Sequence, residues 1–273
     1  MAAPSNLALR LGTAAVCVPL ILALLYLGPA LGFYALVFPI AMIGTWELFA
    51  MTHPGDRVAQ VIGVLIAAAL SLALWFGGHD ARVVVTVLVV VPLLGPLVTL
   101  ARLGSIESAG FRAFAMSMGP LFVAVPMTLL ALLRADMGSD GASYVVMTLM
   151  FAWWGDTGGY FAGRHLGKRK LYEAVSPKKT IEGAIGGLGG SVLGGLCAHF
   201  WFLPSIPLAH VLPLSIIAGA FGQAGDLGES LIKRSTGVKD SGQIVPGHGG
   251  ILDRVDALLL TSAVVFLYTL WIR

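Results

Sequence analysis

Apolar residues in this chain neither alternate with polar ones nor fall in a single helical stripe. They run together in blocks of about 20, broken by short clusters of charge, glycine and proline. Wound as an α-helix, a block of that length matches the hydrocarbon thickness of a bilayer. The breaks predict about nine spans, at 11–29, 31–51, 59–77, 82–101, 112–134, 142–163, 181–203, 207–230 and 251–272. Only "GPAL" separates the first two, and the eighth carries Asp226 and Glu229 in its last half. No connection is long enough for a separate soluble domain. The pattern predicts a single all-α, polytopic membrane domain, with 1–141 mainly scaffold and 142–273 carrying the chemistry.

Composition agrees. Of 273 residues 57% are hydrophobic and 11% charged, where a soluble domain carries about 25% charged residues. Cys17 and Cys197 lie in apolar runs without CxxC or CxxH spacing and read as small core residues, not as a metal or redox pair. The run after Arg10 is long for a signal-peptide core and is followed at once by another span, so it reads as a retained helix. Arg164, Lys168, Arg169, Lys170, Lys178 and Lys179 after the sixth span, and Lys233, Arg234 and Lys239 after the eighth, place both loops in the cytoplasm. The N-terminus is then cytoplasmic as well, and Arg82 and Arg134 stand as exceptions at outer span ends. Six basic and six acidic residues lie up to position 155, and eleven basic and eight acidic after it. Charge is concentrated in the second half. Glu47, inside the second span, is the exception in the first: it either faces a polar interior or sits structurally near the interface.

Three charged stations stand out. In "WWGDTGGYFAGRHLGKRKLYEAVSPKKTIEG", Asp156, Tyr160 and Arg164 fall at i, i+4 and i+8 on one helix face. In "SPKKT", Ser176 suits an N-cap and Pro177 the first helical position, which puts Lys178 and Lys179 in the first turn of the seventh helix. Lysine there adds to the positive end of the helix dipole, so the pattern calls for an anion: a phosphate ligand, or anionic lipid headgroups. GxxxG spacings at 183/187, 186/190 and 190/194 then predict a close-packed helix surface, within the fold or between copies. In "GQAGDLGESLIKR", Asp226, Glu229, Ser230 and Lys233 share one stripe, an oxygen-rich set that a lysine or a hard divalent ion could neutralise. In "PGHGGILDRVDAL", Asp253 and Asp256 open the ninth helix with Arg254 between them, as dipole-stabilised caps or as ligands. Carboxylates for a metal and basic groups for phosphates, at one membrane face, form the set that phosphoryl or nucleotidyl transfer needs.

From Ser230 to Asp256 the chain resembles the phosphatidate cytidylyltransferase (CDP-diglyceride synthetase) family through the pattern S-x-[apolar]-K-R-x4-K-D-x-G-x2-[apolar]-P-x-H-G-G-[apolar]-x-D-R-[apolar]-D. Upstream "GDLGES", "D-x-x-x-Y-x-x-G-R" and "SPKKTxEG" are similar to that family too, with small departures at Gly159 and Val245. The resemblance covers residues 150 to 272 strongly and the first five spans only in general character. It implies transfer of CMP from CTP to phosphatidic acid, giving CDP-diacylglycerol and diphosphate for phospholipid synthesis. It also implies Mg²⁺ with room for a second cation, a homodimer in the inner membrane, a cavity open to the cytoplasm, and no nucleic-acid partner. Carried onto this chain, Asp226, Asp253 and Asp256 are the expected metal ligands, with Asp156 or Glu229 as additions. Lys233 and Arg254 join them in catalysis. Arg164, Ser176, Lys178, Lys179, Thr180, Ser230, Arg234, Lys239, Asp240 and His248 are expected around the two substrates. A CDP-alcohol phosphotransferase would need a DG-x2-AR pattern that is absent here. An ion-coupled transporter would need charge on both membrane faces and often an internal repeat.

Overall fold

The computed structural model describes residues 18–244 and 249–272. Arg10, Cys17, Val245 and His248 lie outside the described residues. Among those described are nine α-helices: α1 (Val18–Leu27), α2 (Ala30–Thr52), α3 (Arg57–Gly77), α4 (Ala81–Ala101), α5 (Ile106–Asp136), α6 (Gly141–Leu166), α7 (Ile181–Trp201), α8 (Leu208–Ser235) and α9 (Leu252–Trp271). Seven of them, α2 to α5 and α7 to α9, are long and apolar enough to cross a membrane. The all-α expectation holds, and boundaries shift by a few residues. The largest shift is at α5, which starts at Ile106 rather than 112, behind Ser105, whose hydroxyl donates to Glu107 at 2.8 Å. Prolines at 39, 92, 96, 120, 126 and 213 sit inside helices. Neighbouring helices and Ser or Thr side chains can satisfy the carbonyls they free, as Ser117 does at Pro92 (2.7 Å).

The long helix α5 packs on α2, α3, α4, α6 and α9 and forms the centre of the molecule. Val123 and Met127 of α5, Tyr144 and Phe151 of α6, and Leu252 and Val265 of α9 are all within the main core. Between α2, α3 and α5 a buried chain of hydroxyls, Tyr34 to Ser71 (3.0 Å) to Thr128 (2.7 Å), satisfies its own polar atoms, with Trp75 stacked on Tyr34 at 4.3 Å. The turns segregate to two ends, as alternating spans require. At one end Arg102 pairs with Asp56, which also caps α3 through Ala59 N–H (3.1 Å); the Arg102 hydrogen bond holds the Asp56 carboxyl below its ordinary range. At the other end Arg134 donates to the Leu25 and Gly28 carbonyls (2.7 and 3.0 Å), and Ser205 donates to Asp140 (2.8 Å). Arg134, an exception to the charge rule, thus serves as the cap of α1.

The connection between α6 and α7 departs from expectation. Ser176–Thr180 is not a helix start but strand β2, paired antiparallel with strand β1 (Lys170–Tyr172) in a register that sets Lys170 against Thr180 and Tyr172 against Ser176. Thr180, not Ser176, is the N-cap of α7, accepting from Gly183 N–H at 3.0 Å. Pro177 and the two lysines therefore lie on the hairpin before the helix. Proline is tolerated there because a two-stranded ribbon has open edges.

The glycine seam is an internal packing surface. A Cβ on Gly158 would sit 2.5 Å from the Gly186 carbonyl oxygen, and one on Gly183 would sit 3.0 Å from that of Gly159. A Cβ on Gly190 would collide with the Trp154 carbonyl. Absence of side chains lets the α6 and α7 backbones touch. Cys197, expected in the core, is half-buried on α7.

Candidate active site

Where α6, α7 and α8 meet the hairpin, they enclose a cavity of about 420 Å³. The helical walls follow from the local sequence, whereas the hairpin wall depends on strand pairing. The i, i+4, i+8 spacing on α6 brings Asp156, Tyr160 and Arg164 into it together, and Arg164 donates to the Tyr160 hydroxyl at 2.8 Å. Strand β2 contributes Lys178 and Lys179, and α8 contributes Gln223 and Asp226. Gly155, Gly159, Gly163, Gly183 and Gly187 form the floor, so the seam that joins α6 to α7 also clears space above it. Lys179 bridges the cavity to Asp226 at 2.5 Å. Gln223, which sequence reading missed, donates to the Ala184 carbonyl at 3.0 Å and ties α8 to α7.

On the α9 side of Asp226 lies Asp256. The carboxylate of Asp226 repels those of both Asp156 and Asp256, and the positive charges of Lys179 and Arg254 act on Asp156. Helices α8 and α9 approach closely here, since a Cβ on Gly225 would meet the Asp256 carbonyl at 2.6 Å. Among the described residues, no group of three His, Cys, Asp or Glu side chains is arranged to hold a metal ion by itself. The Asp156, Asp226 and Asp256 carboxylates instead offer a few hard oxygens next to an open cavity. That donor chemistry suits a small divalent cation that keeps several waters and completes its shell from a phosphate ligand.

Asp253, Glu229 and Lys233 form a separate cluster. Lys233, buried, donates to Glu229 at 2.5 Å and to Asp253 at 2.6 Å. Asp253 further accepts from Ser241 N–H (3.0 Å), the Ser241 hydroxyl (3.0 Å) and Gly250 N–H (2.9 Å). Lys233 thus spends two of its three N–H donors on carboxylates, and both oxygens of Asp253 accept hydrogen bonds. Glu229 is fully buried, with Oε2 on Lys233, and lines no part of the cavity.

The remaining sequence candidates divide. Thr180 lines the cavity and caps α7. Ser230 lies one turn below Asp226, at 3.5 Å from its carboxylate. Arg234 is exposed and turns to the Val175 and Val238 carbonyls (3.4 and 3.3 Å). Ser176, Lys239 and Asp240 are not cavity residues, and His248 is outside the described residues. Glu182 was not singled out from sequence. In the first turn of α7 it accepts from Lys168 and Arg169 N–H (3.0 and 3.2 Å) and thereby fixes the hairpin base. An acidic residue two positions after "KKT" was the available signal. A second cavity, about 440 Å³, lies near the start of α8 and the end of α9, and its walls carry no Asp, Glu, Lys or Arg.

Comparison with known proteins gives the same direction. The chain is 48% identical over 121 residues to the phosphatidate cytidylyltransferase of Staphylococcus haemolyticus (strain JCSC1435), covering 44% of this chain and 46% of that one. For the proteins of the same name from Staphylococcus saprophyticus subsp. saprophyticus and Staphylococcus aureus (strain COL), identity over the same length is 47% and 46%, with the same coverage. The matched stretch thus spans a little under half the length of these curated relatives. A family model described as "Cytidylyltransferase family" matches residues 8–272, and the chain belongs to that family.

Proposed function

We propose that this protein transfers CMP from CTP to phosphatidic acid, releasing diphosphate and forming CDP-diacylglycerol for phospholipid synthesis. The observation that carries the reading is the cavity's division, with basic groups on β2 and α6 opposite carboxylates on α6 and α8. The relatives' name supports the choice of substrates. In the reaction an oxygen of the phosphatidate phosphate forms a bond to the α-phosphorus of CTP. The bond from that phosphorus to its bridging oxygen breaks, and diphosphate takes the electron pair. The attacking phosphate is already ionised at neutral pH, so no general base is needed.

Lys178, Lys179 and Arg164, which line the cavity, would hold phosphate oxygens, and Lys179 would exchange Asp226 for a phosphate as substrate enters. Asp226 and Asp256, with Asp156, would hold Mg²⁺. When bound, the ion offsets charge on the triphosphate and stabilises the leaving oxygens. Arg254, exposed beside these acids, would neutralise charge on the departing diphosphate.

Orientation is part of the same proposal. The membrane end that holds the cavity carries Arg57, Arg102, Arg112 and all the basic residues from 164 to 239, whereas Arg82 and Arg134 are at the opposite end. That asymmetry favours a cavity opening to the cytoplasm. The test is incubation of the purified full-length protein with labelled CTP, phosphatidic acid and Mg²⁺. A lipid-soluble cytidine product with matching diphosphate release is expected; absence of both overturns the reading.

A further inference from the structure

Glu47 belongs to α2, in the half that sequence reading assigns to scaffold, yet its carboxylate reaches the second half of the chain. It is 2% exposed. Oε1 accepts from Ile251 N–H at 3.0 Å, while Oε2 accepts from Leu252 N–H at 2.8 Å and from the Ser241 hydroxyl at 3.1 Å. Among the described residues it forms no ion pair with lysine or arginine. Its charge is held instead by hydroxyl and amide donors at the positive end of α9.

The fit around this carboxylate is tight on two sides. A Cβ on Gly242 would lie 2.5 Å from Oε1, and one on Gly250 would lie 2.5 Å from Oε2. Ser241 and Gly250 are also the donors to Asp253, which is in turn paired with Lys233 of α8. The single Ser241 hydroxyl proton is shared between Glu47 and Asp253, at 3.1 and 3.0 Å. Two carboxylates therefore clasp Ser241 to the start of α9. Asp256 lies one helical turn beyond Leu252, so whatever fixes the first turn of α9 also fixes Asp256 relative to Asp226.

We infer that Glu47 is a positioning residue for the transfer site: by holding the Ile251 and Leu252 amides and Ser241, it sets the start of α9 and, through it, the placement of Asp256. This rests on the proposed CMP transfer for its catalytic consequence, though the anchoring itself does not. A misplacement of about 1 Å at a site of this kind can cost on the order of 100-fold in rate.

The test compares Glu47→Ala and the shape-preserving Glu47→Gln in purified full-length protein, with two readouts. Amide hydrogen exchange at Ile251 and Leu252 is expected to accelerate at least about 10-fold in Glu47→Ala, with α5 amides unchanged. Turnover per folded molecule is expected to fall about 10- to 100-fold, with the Mg²⁺ concentration at half-maximal rate raised and part of the loss restored in Glu47→Gln. If Glu47→Ala does not fold, Glu47→Gln alone decides, with smaller shifts of the same sign. Unchanged exchange overturns the anchoring. Faster exchange with unchanged turnover and Mg²⁺ dependence overturns the positioning role. If the wild type transfers no CMP, the functional reading fails by itself, and exchange alone judges whether Glu47 holds α9.

Discussion

Asp226 and Asp253 are both aspartates in the charged half of the chain, and their surroundings differ. Asp226 faces the cavity, with Lys179 as its ion-pair partner and two like charges beyond. Asp253 is occupied by Lys233, Ser241 and Gly250. Asp226→Asn should therefore lower turnover by about 100-fold or more and raise the Mg²⁺ requirement, measured as initial rate against Mg²⁺ concentration. Asp253→Asn should leave the half-saturating Mg²⁺ concentration near that of the wild type and lower stability by about 1.5–3 kcal/mol, since a charge-assisted bond to a buried lysine is lost. A denaturation midpoint alongside the Mg²⁺ titration separates the two. Lys179→Ala should raise KM for CTP about 10- to 100-fold, the loss of one charge-assisted phosphate contact. The sequence put all three residues among the candidates. It could not distinguish their roles, because a carboxylate's availability depends on which donors already occupy it.

Among the elements, the α6–α7 pair and its hairpin show where local reading succeeds and where it fails. GxxxG spacings announced a close-packed face, and the facing glycines of α6 answer it within one chain. Gly158→Val should drive a side chain into the Gly186 carbonyl. The cost is at least the ~1–3 kcal/mol of ordinary overpacking, read as a lowered unfolding temperature in detergent. "SPKKT" carries the local signature of a helix start, yet it forms a strand, because "KLY" six residues upstream pairs with it. Strand pairing is a relation between segments, invisible to a scan for caps. Thr180→Ala should cost about 1 kcal/mol as the true cap of α7 is lost, whereas Ser176→Ala should cost no cap energy; paired unfolding curves test this.

At the scale of the molecule, alternation of the helices puts every charged station at one end. In a background lacking both cysteines, Ser105→Cys and Ser235→Cys should react with a membrane-impermeant maleimide from the same face of oriented vesicles, and Ser139→Cys from the other. Labelling of all three from one face would break the alternation. Sequence alone determined the class of fold, the helix positions to within a few residues and the concentration of charge after residue 155, because these depend on length, hydropathy and local charge, which are additive along the chain. Only the tertiary structure decided that Lys178 and Lys179 reach the cavity from a hairpin and that Lys233 pairs with both Glu229 and Asp253. It alone also decided that Glu47, nearly two hundred residues before Ser241, closes on the start of α9. Those facts depend on which donor meets which acceptor across helices, and pairing of that kind is fixed by packing.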